Sequence, residues 1–234
     1  MQAKINLHLT MKSHRVFKAY LYEQFALIGK ALASPVRLEL LDLTGQAERS
    51  VEDLAREVGL SVANTSQHLQ VLRQAGLLAV RREGKFSYYR LAGKEAFKTW
   101  QSIRDFAAAK VAEVRRLAEE YLHTSDQLEA VSITELRRRL ATGDVVLIDV
   151  RPELEYRAGH IPGALSVPLE KLATFLRTLP DDKEIVAYCR GPFCMFSNEA
   201  VQAMKKKGFK ACRFDRGLPD WRFAGLPIAT SAGK

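Results

Sequence analysis

The chain has 234 residues, 47% of them hydrophobic, which is more than one typical domain and enough for two real cores. Its formal charge of +9 permits a polyanionic partner without naming one, because both halves are mildly basic. Three cysteines, all late in the chain, exclude a disulfide framework; no apolar run approaches the roughly 18 residues that span a bilayer, and Met1 to Arg15 does not resemble a secretory signal. A cytoplasmic protein with reduced thiols, no membrane partner and no bound cofactor is expected.

In chain order, Val16, Phe17, Tyr20, Leu21, Phe25 and Ile28 recur at helical intervals and predict an amphipathic helix over 16–32. Ser34-Pro35 reads as N-cap and first position of a short helix ending near Leu43, with Thr44-Gly45 as its stop. Ser50 caps a third helix carrying Val51, Leu54, Ala55 and Val58 and closed by Gly59; Ser61 caps a fourth, with Leu69, Val71 and Leu72, that stops at Gly76. Two helices joined by so short a turn make a helix-turn-helix. Leu77 to Arg82 and Phe86 to Leu91 then read as two strands around Glu83-Gly84-Lys85, a wing. Residues 61–90 carry Arg73, Arg81, Arg82, Lys85 and Arg90 against Glu83 alone, a local basic footprint.

The fourth helix would enter the major groove, with Ser61 at its cap and Val62, Ala63, Asn64, Ser66, Gln67 and Gln70 facing outward. Asn and Gln can pair with adenine and small apolar groups can meet a thymine methyl. Arg81, Arg82 and Lys85 of the wing would lie against phosphates or a minor groove. The plainer alternative for Gln67, His68 and Gln70 is solvated helix surface, and His68 could equally pack on the preceding helix. From Glu95 to Leu122 the series Phe97, Trp100, Ile103, Ala107, Val111, Val114, Ala118, Tyr121 steps by three and four without Gly or Pro, predicting one helix roughly 40 Å long. Its stripe, with residues 14–32, would meet a second copy of the chain, and a homodimer would set two recognition helices about one DNA turn apart on a double-stranded operator.

Residues 24–122 resemble the ArsR/SmtB class of winged-helix repressors, on Ala33-Ser-Pro-Val-Arg-Leu-Glu-Leu-Leu, Leu54-Ala-Arg-Glu-Val-Gly-Leu-Ser, Ser66-Gln-His-Leu-Gln-Val-Leu-Arg-Gln-Ala-Gly-Leu-Leu and the tyrosine-rich wing. The resemblance implies a homodimer that releases operator DNA when an inducer binds. Many of that class sense metals through a Cys-rich third helix or Asp/His ligands on the last helix. Here residues 50–60 hold no Cys and 94–122 no His, so no metal site is expected in this half.

His123 to Gln127 is polar and breaks the helical pattern, giving domains at 1–122 and 130–234 around a 123–129 linker. Ser132-Ile-Thr-Glu135 is a capping box, opening a helix whose Arg137, Arg138 and Arg139 read as a solvated face or as a DNA contact. Val145 to Asp149 is a buried strand, Glu153 to Ala158 a helical turn, Gly159 to Ala164 a turn cluster and Glu170 to Leu179 a helix. Ile185 to Cys189 is a strand that feeds a tight loop and a helix from Met195 to Lys207. Ala211 to Phe214 is the last strand, leading to Asp215-Arg-Gly217 and a short helix through Trp221. Strands alternating with helices imply an α/β domain with a mostly parallel sheet, whose ligands bind beyond the carboxyl ends of the strands, where Asp149, Cys189 and Asp215 fall.

A loop between strand and helix aims backbone N–H groups at its first residue and favours an anion there. Cys189 holds that place, and a thiol so placed ionises at roughly pH 3.5 to 7.5. The alternative, a small buried hydrophobe, sits poorly beside Arg190 and Gly191. Residues 130–229 resemble the rhodanese domain, on Ile148-Asp-Val-Arg-Pro-Glu-Leu-Glu-Tyr, Gly159-His-Ile-Pro-Gly-Ala, the Cys189 loop and Asp215 to Pro227. The resemblance implies that Cys189 is the persulfide-forming nucleophile. Related phosphatases and arsenate reductases close a longer loop with an arginine six positions after the cysteine; here that residue is Met195, so their oxyanion chemistry is disfavoured. Pro192 stands where glycine is usual and removes one N–H, and Cys194 is either a resolving thiol or a buried helix-start residue. Arg190 is expected at the loop mouth to attract an anionic donor, Asp149 and Arg151 to brace the loop, His160 to be a structural hydrogen-bonding residue and Cys212 to be inert in a core strand.

The reading that joins the halves is a DNA-binding transcriptional regulator, a repressor by resemblance, whose rhodanese-like domain senses or transfers small reactive sulfur species through Cys189 with Cys194. The alternative is a sulfurtransferase, using a thiosulfate or persulfide donor, with an attached regulatory DNA-binding domain. A third is an arsenic or metal response through Cys189, Cys194 and Cys212.

Overall fold

A computed structural model of the chain describes residues 14–122, 130–178 and 183–231; the expected linker and the end of the helix predicted through Leu179 lie outside them. The contacts divide into two compact units, residues up to 41 with 49–92, and residues 42–48 with 93 onward. In the first unit, α1 (His14–Leu32) is followed by α2 (Pro35–Gln46), β1 (Arg49–Ser50), α3 (Val51–Val58), α4 (Val62–Gln74), β2 (Leu78–Glu83) and β3 (Phe86–Leu91). The last turn of α2 belongs to the second unit, and the helix continues through Thr44-Gly45 instead of stopping there.

The capping residues read from sequence act as caps. Ser50 and Ser61 each accept the backbone N–H three residues on, in the first turn of their helices, from Asp53 at 3.1 Å and Asn64 at 3.2 Å. Gly59 takes a left-handed φ of 68° to end α3. The wing is a β2–β3 antiparallel hairpin with Glu83 opposite Phe86, so its turn is Gly84-Lys85, and β1 adds a third strand beside β3 that periodicity does not reveal. Leu54, Leu69 and Leu72 have no exposed surface and fill the core of this unit.

The second unit contains α5 (Lys94–Lys110), α6 (Ala112–Leu122), β4 (Ala130–Val131), α7 (Ile133–Thr142), β5 (Val145–Asp149), α8 (Glu153–Ala158), β6 (Leu165–Ser166), α9 (Leu169–Phe175), β7 (Glu184–Cys189), α10 (Met195–Lys206), β8 (Ala211–Gly217) and α11 (Leu218–Phe223). The single long helix expected over 95–122 is two helices. Val111 is extended, with φ −91° and ψ 109°, and separates them. A branched residue has little to lose there, and the break lets α6 pack on α10, where Asn198 donates to the Leu122 carbonyl at 3.1 Å.

Five parallel strands form a sheet in the order β4-β8-β7-β5-β6. The twofold alternation along β7 sends Ile185, Ala187 and Cys189 to one face, against Ala200, Val201 and Met204 of α10, and Val186 and Tyr188 to the other, against Leu136, Leu218 and Trp221. Ser132 caps α7, but the capping box is half formed: the Glu135 carboxylate turns to Arg138 and Arg139 instead of the cap N–H. Replacing Ser50 by alanine removes the side-chain acceptor at the entrance to α3. The expected loss is about 1 kcal/mol of stability in the first unit, checked as a downward shift of the urea midpoint followed by helical circular dichroism.

Candidate functional site

Cys189 ends β7 between two neighbours, β5 and β8, and the loop after it returns to α10, for which Cys194 is the N-cap. Cys189 and Cys194 form a disulfide with Cα atoms 6.2 Å apart, inside the range of about 4.4 to 6.8 Å that a bridge requires. Cys189 is 1% exposed and sits in the apolar cluster of its sheet face, whereas Cys194 is partly exposed, between Phe193 and Met195, which are exposed. In place of the open thiol expected at Cys189, the loop folds back so that Cys194 covers and bonds the first sulfur. The N–H cradle is also thinner than expected, since Pro192 has no N–H and that of Cys194 donates to the Gly191 carbonyl at 3.1 Å.

The charged residues around the loop are paired. Arg190, expected to attract an anion, instead makes hydrogen bonds of 3.0 and 2.6 Å to Oε1 of Glu155, which has no exposed surface. Arg151 lies fully buried, donates to Asp149 Oδ2 at 2.6 Å and to the Gly159 carbonyl at 2.7 Å, and so ties the end of β5 to the next turn. Burial opposes its charge, but the hydrogen bonds and charge of Asp149 win and hold its pKa above the ordinary value. Burial, with the nearby charge of Asp149, pushes the Tyr188 phenol well up, so its hydroxyl stays neutral and accepts the Ile161 N–H at 3.1 Å. Asp215 is drawn into β8 with Oδ1 lacking a hydrogen-bond partner. It lies two positions before Gly217, the residue that pairs with Cys189. His160 stacks on Tyr156 at 3.8 Å and its Nδ1 lies 2.9 Å from the Tyr156 carbonyl.

Cys212 lies on the opposite sheet face from Cys189, with Arg139 Nη1 3.9 Å from its sulfur. Opposite faces of one strand layer cannot bring three sulfurs to one ion, so the three-thiol arsenic or metal site is corrected. Among the described residues no three His, Cys, Asp or Glu side chains are grouped to hold a metal.

Gln46, Gln101 and Arg104, far away in sequence, complete the loop's surroundings and were missed for that reason. Gln46, at the end of α2, donates to the Arg190 carbonyl at 3.0 Å. Asp220 of α11 accepts the Gly217 N–H at 3.0 Å and, from α5, Arg104 Nη2 at 2.8 Å and Gln101 Nε2 at 2.9 Å. Glu155 and Gly217 stand inside stretches singled out from sequence, but no local signal marks Gln46 or Arg104.

In the first unit Val62, Ala63, Asn64, Gln67 and Gln70 are exposed along α4 with the cap Ser61, Ser66 is partly exposed, and Thr65, Leu69 and Leu72 face inward. Arg81 and Arg82 are exposed on β2 and Lys85 at the wing tip. Arg81 is also paired with Glu83 at 2.6 Å and stacks over Tyr88, so part of its charge is already met within the wing.

A helix-turn-helix domain family model matches residues 32–81 and a rhodanese-like domain model matches 132–224. The "HTH-type transcriptional regulator Rv0324" of Mycobacterium tuberculosis (strain ATCC 25618 / H37Rv) is 42% identical over 92% of this chain and 94% of its own length. The chain belongs to the ArsR-type transcriptional regulators with a C-terminal rhodanese-like domain. This regulator is also similar in its second part to a "Sulfurtransferase" of Allochromatium vinosum, 33% identical over 42% of the chain and 92% of that protein. Its first part is similar to a solution structure of a homodimeric winged helix-turn-helix domain from Mycobacterium bovis, 39% identical over 44% of this chain and 93% of that one, with a TM-score of 0.40. No helix among the regulator's described residues is long and apolar enough to cross a membrane.

Two outcomes follow for the regulator's second unit. A Cβ at Gly217 would lie 2.0 Å from the Arg190 carbonyl oxygen, so Gly217→Ala should cost at least about 2 to 3 kcal/mol, read from the urea unfolding of the buried Trp221. Asp42, half-buried beside Arg190, Arg104 and Glu155, has its carboxyl raised from 3.8 to about 6, chiefly by burial. Between those two pH values the folded state holds the proton longer than the unfolded one, so stability falls as pH rises through the window. Asp42→Asn should thus stabilise the protein by at most about 3 kcal/mol above pH 7 and leave it unchanged below pH 4, as compared in urea melts at both pH values.

Proposed function

We propose that this regulator binds operator DNA as a homodimer and that the Cys189–Cys194 pair reads reactive sulfur. The observation that carries the reading is the second loop thiol within bridging distance of the first. In the reduced loop, Cys189 takes the sulfane sulfur of a low-molecular-weight persulfide and releases its thiol. Cys194 then attacks the Cys189 sulfur and expels hydrosulfide, leaving the protein disulfide; one persulfide is reduced and two protein thiols are oxidised. Cys194 suits the resolving role because it lies within bridging distance of Cys189. Ser61, Val62, Ala63, Asn64, Ser66, Gln67 and Gln70 would meet base edges or phosphates, and Arg81, Arg82 and Lys85 the backbone.

A second copy is supported by α1, where Phe17, Tyr22, Phe25 and Leu27 are each at least half exposed. So many exposed aromatic and aliphatic side chains on one helix are more than a monomer ordinarily leaves uncovered. Phe106 and Tyr121, exposed on α5 and α6, are available to the same association. Residues 14–32 and the exposed side of 95–122 are accordingly assigned to the dimer.

Sulfurtransferase activity is the second reading, favoured by the likeness to the curated sulfurtransferase and by the rhodanese-like family match. Against rapid turnover stand the burial of Cys189, the bridge over it and the missing N–H of Pro192. The two are separated by gel-shift titration on the protein's own upstream DNA. Persulfide should weaken binding by about fivefold or more, while Cys189→Ser and Cys194→Ser should stay bound in both conditions. Unchanged affinity in the wild type, together with steady sulfur transfer from thiosulfate to cyanide, would replace the sensor by the enzyme.

A further inference from the structure

Gln46 is the last residue of α2 and has no exposed surface. Its Nε2 donates to the carbonyl of Arg190, the first peptide after Cys189, at 3.0 Å, and its Oε1 accepts from Arg151 Nη1 at 3.4 Å. On its other side the same Arg190 peptide lies against Gly217, so close that a Cβ there would stand 2.4 Å from its carbonyl carbon. Gly217 is in turn held by Asp220, and Asp220 by Arg104 and Gln101 of α5. One peptide is thus gripped by the end of α2 and by the strand-to-helix turn that α5 braces.

That peptide is where a change of the bridge has to be taken up. Opening the disulfide converts a bond of about 2 Å into a contact of about 3.5 to 4 Å. Cys189 is fixed in the middle of a parallel sheet and Cys194 begins a twelve-residue helix anchored by Ala200, Val201 and Met204. Neither end yields easily, so the difference falls on residues 190–193, beginning with the Arg190 carbonyl. A fully buried amide donor either follows a moving acceptor or is left unsatisfied.

We infer that Gln46 carries the state of the sulfur loop to the helix-turn-helix, because the Gln46 amide is bonded to the peptide next to Cys189 and the chain runs from the end of α2 through Ala47 and Glu48 to Arg49 and Ser50, the cap of α3. The inference rests on the sulfur-sensing reading for its trigger. It makes the Gln46 to Arg190 hydrogen bond the element that differs between bridged and open loops, and a bond differing between two states is what an allosteric coupling requires.

The test uses the full chain, bridged by a low-molecular-weight persulfide or reduced by a phosphine, with two readouts on the same samples. Hydrogen exchange of the backbone amides of residues 43–48 should quicken by about fivefold or more on reduction in the wild type. It should be equal in both states in Gln46→Glu, which keeps an acceptor for Arg151 but has no donor for Arg190, and in Gln46→Leu. Thiol counting should show that both variants still form the bridge, while their DNA affinities differ less than about twofold between states. Wild-type exchange that is the same in both states, or a difference that survives in Gln46→Glu, overturns the coupling even if Gln46→Leu fails to fold. A wild-type DNA affinity indifferent to the bridge overturns sulfur sensing instead, and leaves the coupling to be judged by the exchange rates alone.

Discussion

The arrangement around the sulfur loop depends on a close approach of two backbones, with Gly217 leaving no Cβ between itself and the Arg190 peptide. That approach is what allows β8 to pair with the end of β7 after the register shifts between Ala187 and Cys189. It places the Cys189 sulfur in the sheet's apolar layer while its neighbour's carbonyl is presented sideways to Gln46. Any side chain at Gly217 would push the loop off the sheet and separate the two features. The requirement here is for space, since the φ of Gly217 is ordinary extended backbone at −115°.

Three buried ion pairs surround this contact: Arg151 with Asp149, Arg190 with Glu155 and Arg104 with Asp220. Removing charges from water costs several kcal/mol per ion, and such pairs return that cost only when geometry is good and the remaining donors are met. Arg151 meets the condition through Asp149, the Gly159 carbonyl and Gln46. Their contribution is to position more than to stabilise. The Arg190–Glu155 and Arg104–Asp220 pairs join elements separated in sequence, and a loop held by directional hydrogen bonds has fewer alternative arrangements than one packed by hydrocarbon alone. The half-buried Asp42, with its raised carboxyl, adds a group near the same charges that titrates close to neutral pH.

The first unit is organised by simpler forces. Its helices bury leucines on one side and leave short polar and small apolar side chains along α4 on the other, which is the chemistry that base edges can meet. Two serine caps and two left-handed glycines, Gly59 and Gly76, fix where its helices begin and end. The wing carries its positive charge on exposed arms, with Arg81 steadied by Tyr88 and Glu83. The exposed aromatic and aliphatic side chains of α1 are the surface assigned above to the proposed second copy.

The sequence by itself determined the local elements and both architectures. Ser50, Gly59 and Ser61 specify helix ends through hydrogen bonds a few residues away; the short continuous apolar runs at 145–149 and 185–189 specify buried strands; and the strand-loop-helix around Cys189 follows from short-range pattern alone. What only the tertiary structure decided is the environment of each functional group. Cys189 is bridged rather than open, Arg190 is neutralised by Glu155, Cys212 faces away from the other sulfurs, and the helix over 95–122 breaks at Val111. The reason is distance along the chain. Burial, charge pairing and the Gln46 to Arg190 hydrogen bond join residues up to 144 positions apart, and a side chain's ionisation and reach are set by such neighbours, which no local periodicity records.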